Sequence, residues 1–282
     1  MSQDSDKDTR VPEETEFLQI VWEQEDECEK ETDERLPTMG KRAPACIAQI
    51  GTVFSLLDRM ASCWWVCRGG DHLIEYLSGR TVSTGRAALR LMRFGFYDES
   101  LLLSRSIGEI ANLLCLFNEK PNSFEKWKQS SRSERMKEFS PVKVRLGLEA
   151  VLGTPPISQE RYTLLSERAA HVHPETKPQS HNILGIPVAG AIFQDEGLLV
   201  CLNELAIALS LSTLFGALLL DLDKDLRKRI IGCAKTLAEQ IGGATITEIG
   251  DYHQQVLEDP VIGKELARIG EALRRLQARR RQ

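Results

Sequence analysis

The sequence predicts an all-α protein: an irregular multi-helix bundle built around one central hydrophobic helix. Three observations carry that prediction. Apolar residues recur at three- and four-residue intervals through most of the chain, the period of an amphipathic helix. Residues 205–220 form a run of 16 without a charge, a composition suited to a helix buried on all sides. No convincing succession of strands and helices interrupts this pattern and no internal repeat stands out, so a bundle is expected rather than a layered sheet.

The elements follow in order. Residues 1–12 read as disordered. Between residues 13 and 36, Phe17, Ile20, Val21 and Trp22 form a short apolar stripe ahead of the polar run EQEDECEKETDE. This predicts a solvated helix whose beginning docks on the body, and LPTMGKRAP marks a boundary near residue 42. Residues 45–77 read as helical, with Ile47, Ile50, Val53, Phe54, Leu57, Met60, Trp64 and Cys67 at helical intervals. Gly69-Gly70 bends or breaks that pattern before Asp71 caps a shorter turn. A further helix begins at Thr81 or Thr84 and reaches Phe96. Asp98 is then placed as the N-cap of ESLLLSRSIGEIANLLCLFNE, which Pro121 ends.

Residues 122–151 read as two shorter helices divided near Phe139-Ser140-Pro141, and SQERYTLLSERAAH as a helix that stops by Pro174. Residues 174–190, rich in proline and without periodicity, form a connecting loop. GLLVCLNELAIALSLSTLFGALLL is the central helix. Asp221 and Asp223 mark a junction to LRKRIIGCAKTLAEQIGG, and an amphipathic helix from about residue 260 follows. The expected organisation is an acidic leader (1–42), a first helical region carrying the candidate site (43–173), the loop (174–190) and a second helical region (191–282) packed in the same domain.

Charge is unevenly placed. The chain carries a net charge of -5, yet residues 1–40 hold 14 acidic and 4 basic side chains, so the remainder is mildly basic. The leader is either a solubilising arm or an intramolecular mask that competes with a polyanion for the body. Seven cysteines without paired CxxC motifs read as free, mainly buried thiols in a reducing compartment, and a cytoplasmic location is expected. Cys63 and Cys67 are assigned to packing on one helix face, with no histidine counted beside them and no metal or cofactor expected. The start lacks the basic and apolar segments of a signal peptide. The longest apolar run falls short of the roughly 20 residues of a spanning helix, so stable membrane insertion is not expected. No GxGxxG, GxxxxGK[ST] or HExxH pattern occurs, which leaves no motif for a dinucleotide, P-loop or zincin site.

Two polar constellations could carry chemistry. Arg105, Glu109 and Asn112 fall at i, i+4 and i+7 on an otherwise apolar helix; such a stripe either locks helices together or lines a cleft. In LSERAAHVHP, Arg168 and His173 can act together if the helix unwinds before Pro174. The imidazole of His173 would take a ribose 2′-hydroxyl proton, and the guanidinium of Arg168 would stabilise charge on the phosphorane oxygens without a metal. Arg105 and Glu109 join them as candidate catalytic residues, Arg105 as a second phosphate ligand. Structural capping and interhelical pairing are the bland alternatives for all four.

Taken together, SIGEIANLLCLF, KEFSPVKVR and YTLLSERAAHVHP resemble a poorly characterised group of bacterial all-helical proteins with HEPN-like and abortive-infection affinities, over roughly residues 84–220. HEPN-like ribonucleases carry an arginine, four to six intervening residues and a histidine at a dimer-associated cleft. The resemblance therefore implies a metal-independent endoribonuclease using Arg168 and His173. The alternative function is a non-catalytic helical interaction or regulatory module that binds nucleic acid or protein. LRKRIIGCAK and RRLQARRRQ could contact phosphates, whereas Trp22, Trp64, Trp65 and Trp127 are expected to pack. Helices apolar on more than one side suit either a homodimer or internal packing.

Overall fold

In the computed structural model, residues 16–171 and 191–240 are described. They form ten α-helices and, among the described residues, no strand: α1 (Phe17–Arg35), α2 (Arg42–Ala61), α3 (Leu73–Arg93), α4 (Tyr97–Glu119), α5 (Pro121–Gln129), α6 (Arg132–Glu138), α7 (Pro141–Leu152), α8 (Gln159–Ala169), α9 (Asp195–Leu219) and α10 (Lys224–Glu239). The expected disordered start, the 174–190 loop, the C-terminal helix and His173 lie outside the described residues.

The all-helical bundle is present, and α9 is its axis. Leu198, Cys201, Leu202, Leu205, Ala206 and Leu209 are buried on several sides of α9. The helix packs against α4 most extensively, and against α10, α3 and α2. One hydrophobic core therefore joins helices from both sides of the 174–190 segment. Both α4 and α9 are long and apolar enough to cross a membrane by length and composition, but 61% and 67% of their most apolar windows are buried inside the bundle. Burial against other helices accounts for that apolarity without a lipid phase.

Some polar groups inside the bundle are paired between elements. The Thr81 and Ser212 hydroxyls lie 2.9 Å apart between α3 and α9. The Ser100 hydroxyl donates to the Ala88 carbonyl, and Tyr97 accepts from the Gln194 amide at 2.9 Å. Each bond ties neighbouring elements together through polar groups removed from water.

Several expectations change. One uninterrupted helix, α3, replaces the separate turn and helix predicted over residues 71–96: Gly79 sits within it, because tertiary packing outweighs the small cost of a helical glycine. Helix α2 stops at Ala61, so Trp64 and Cys67 stand on a loop and Trp64 is 88% exposed. Of the four tryptophans, Trp127 packs, against Phe117 and Phe124, while Trp22 and Trp65 are about half exposed. Residues 121–152 form three helices rather than two; the additional short one, α6, is started by a capping box between Ser131 and Glu134.

The leader helix docks by the opposite end from the one predicted. Phe17, Leu18 and Trp22 are exposed at the start of α1, whereas Cys28 and Thr32 are buried near its end. The Thr32 hydroxyl donates to the Arg93 carbonyl at 3.0 Å. Gly95, at φ 81°, makes the turn between α3 and α4; a Cβ there would lie 2.7 Å from Cys28 Sγ. Only glycine both adopts this conformation readily and lets α1 approach.

Candidate functional site

Helix α8 is fixed to the bundle by a chain of polar anchors. Asn112 on α4 donates to the Ile157 carbonyl and accepts from the Ile157 amide, both at 2.9 Å, so one side chain satisfies both backbone groups. Ser158 then caps α8 by accepting from the Arg161 amide. In the same first turn the Arg161 side chain forms a two-pronged pair with Glu204 of α9, with both contacts at 2.8 Å. Glu204 is buried, and its carboxylate raises the proton affinity of Arg161 above the usual guanidinium value. A carboxylate in the central helix is tolerable because this fork meets it.

Arg105 completes the attachment. Its Nε donates to Ser166 Oγ at 2.9 Å, its Nη2 donates to Tyr162 Oη, and Nη2 lies 3.2 Å from Glu109. The guanidiniums of Arg105 and Arg145 rest against the Tyr162 ring, 4.2 and 4.0 Å from its centroid. Arg145 is buried; it donates to Gln159 Oε1, and the ring face adds attraction for its charge.

The structure thus brings Arg105, Glu109 and Asn112 together with α8, through residues 157, 162 and 166. It does not bring Arg105 to Arg168. Arg168 is exposed in the last turn of α8, two residues beyond Ser166 and therefore on nearly the opposite side of the helix. Glu109 and Arg105 are bound to each other, and the donors of Arg105 are directed at α8. In this arrangement the pair serves as a helix lock. The exposed His171 follows the end of α8.

A second polar surface, not anticipated as a unit from sequence, lies where α1 crosses the end of α3. Glu29 approaches Arg90 at 2.8 Å and Arg93 at 3.1 Å, while both carboxylate oxygens of Asp33 accept from Arg93 at 2.7 and 2.8 Å. Arg35 reaches across to Asp195 at the start of α9, at 2.6 Å. Beside these pairs, between α2 and α3, runs an open groove of about 550 Å³. Arg86, Arg90 and Arg93 line it together with Phe54, Ala87 and Leu89. Arg86 is exposed and forms no ion pair among the described residues. A larger groove, about 810 Å³, follows α1, but Glu23, Glu27, Glu31 and Glu34 line it, a poor match to an anion.

A third cluster corrects the reading of Cys63 and Cys67 as helix-face packing residues. Both are exposed on the α2–α3 loop, beside His72: Cys63 Sγ is 3.8 Å from Nδ1 and Cys67 Sγ is 4.0 Å from Nε2. The signal available in sequence was Cys-x3-Cys-x4-His, obscured when the helix was extended through residue 67. The other five cysteines are buried; burial pushes the thiol of Cys46 up to about 11 and those of Cys28 and Cys115 up to about 12. No protein-family model matches this chain, nor does any curated protein or solved structure.

Proposed function

We propose that the chain is a non-catalytic helical regulatory module whose α3 arginines bind the phosphate backbone of RNA in competition with the acidic helix α1. The observation that carries this reading is the placement of Glu29 and Asp33 on Arg90 and Arg93 at the edge of the arginine groove. Carboxylates there satisfy the same guanidinium donors that phosphates would use. Helix α1 holds eight acidic and two basic residues, whereas α3 holds four arginines and one glutamate. The local attraction is therefore strong in sign while each pair, partly open to solvent, is weak, a combination that permits exchange. Base-reading groups are not required, so binding follows charge and backbone more than sequence.

Arg86 provides the clean probe because it lines the groove without holding α1. Arg86→Gln is expected to weaken binding to a labelled single-stranded RNA and reduce the salt dependence by about one phosphate contact, log Kd changing by ~0.7 less per decade of salt. Its thermal midpoint should remain that of the parent. Unchanged affinity and salt dependence would remove the groove from the proposal.

Endoribonuclease action by Arg168 and His173 is the second reading, supported by the exposure of Arg168 at the end of α8. The same RNA, incubated in chelator and separated by size, distinguishes the two. Fragments that disappear with Arg168→Ala and His173→Ala would establish the nuclease; intact RNA leaves binding alone.

A further inference from the structure

The geometry points to a binding site for one zinc-type divalent cation on the α2–α3 loop, formed by Cys63 Sγ, Cys67 Sγ and the His72 imidazole, with Glu75 positioning that imidazole. The inference is independent of the RNA reading. The three ligand atoms lie within 4.8 Å of one another. In a tetrahedral zinc site with Zn–S of about 2.3 Å and Zn–N of about 2.0–2.1 Å, sulfur and nitrogen ligands stand about 3.6 Å apart. The observed Cys67 Sγ–Nε2 separation of 4.0 Å needs to close by only a few tenths of an ångström, and a turn of the Cys63 side chain, now 3.8 Å from Nδ1, brings its sulfur to the same ion.

The loop is shaped to bring these side chains together. Gly69 and Gly70 have φ of 73° and 82°, and His72 itself has φ 54°. A left-handed histidine is uncommon and is held here by its surroundings: the Leu73 amide donates to Asp71, while Asp71 pairs with Lys128 of α5. Packing does not account for the cysteines, because both face solvent, unlike the other five.

Glu75 supplies the supporting contact. It is 7% exposed, sits in the first turn of α3 where the helix dipole favours a carboxylate, and places Oε1 3.7 Å from His72 Nδ1. A ligating histidine commonly gives its second N–H to a carboxylate. Nε2 is therefore the ligating nitrogen and Nδ1–H faces Glu75, with the fourth coordination position left to water. Two thiolates and an imidazole suit zinc better than magnesium or calcium. Binding exchanges the two thiol protons for the dication, so the protons leave to solvent and the charge of the site is unchanged. Affinity should accordingly fall with decreasing pH.

The test uses the reduced, metal-free full chain titrated with cobalt(II), then with zinc. One equivalent of cobalt should produce thiolate-to-metal charge-transfer absorption and tetrahedral visible bands, which zinc removes. Zinc should also protect Cys63 and Cys67 from alkylation in the native protein, as read by peptide mass. Cys63→Ser and Cys67→Ser should lose the tight cobalt complex while keeping the parent's helical circular dichroism. Glu75→Gln should retain the charge-transfer band and weaken binding about 10–100-fold, the range for loss of a supporting carboxylate. Absence of the band at one equivalent, with alkylation unaffected by zinc, would overturn the site. A Cys63–Cys67 disulfide in protein isolated with zinc present would overturn it equally.

Discussion

Asn112 and Arg105 belong to one polar stripe on α4, yet a loss at the two positions should differ in cost. Asn112 is buried and serves both the amide and the carbonyl of Ile157. Its removal leaves two buried backbone groups unsatisfied, each at about 1–3 kcal/mol. Asn112→Ala is therefore expected to destabilise the protein by about 2–6 kcal/mol, seen as a lower urea midpoint with little change in slope. Glu109→Gln, at a side chain 30% exposed, should cost less than about 1 kcal/mol. Comparable midpoints for the two variants would contradict this division. The stripe itself was legible in sequence because i, i+4 and i+7 share a helix face. Its partners were not, since periodicity orients a side chain without naming the helix it meets. His72 failed to register for another reason: its link to Cys63 and Cys67 depends on a loop that helical pattern-reading extended over.

At the level of elements, α9 and α10 were the most legible. The uncharged run over residues 205–220 marks the first, and Asp223 caps the second by accepting from the Leu226 amide. Helix α1 was misplaced because its apolar start outweighed two small residues, Cys28 and Thr32, that make the actual contact. Burial in a docking turn depends on the fit under Gly95, which hydrophobicity does not encode. The attachment of α8 to α9 gives a prediction at this scale. Arg161→Ala strands the buried charge of Glu204 and should cost about 2–4 kcal/mol, below the fully buried range because the Arg161 side chain is 34% exposed. Adding Glu204→Leu should recover part of the loss. If urea denaturation shows the double variant less stable than Arg161→Ala, the pair contributes more than compensation of a buried charge.

Across the whole molecule, charge is separated along the chain and recombined by folding. The acidic leader includes a helix laid against an arginine-bearing one, so the net charge of -5 conceals a local basic surface. The Arg90 and Arg93 side chains are 57% and 29% exposed, which places the pairs with α1 in the weak, salt-sensitive class. If RNA and α1 compete for this surface, neutralising the carboxylates frees the binding-competent state and raises apparent affinity. The deciding measurement is RNA affinity of the full chain and of its Glu29→Gln/Asp33→Asn variant, compared at the same low salt by fluorescence anisotropy. Two or three partly exposed pairs of about 0.2–1 kcal/mol each predict binding roughly 2- to 150-fold tighter in the variant. Equal or weaker binding by a variant that keeps the parent's helical content would contradict the competition between α1 and RNA.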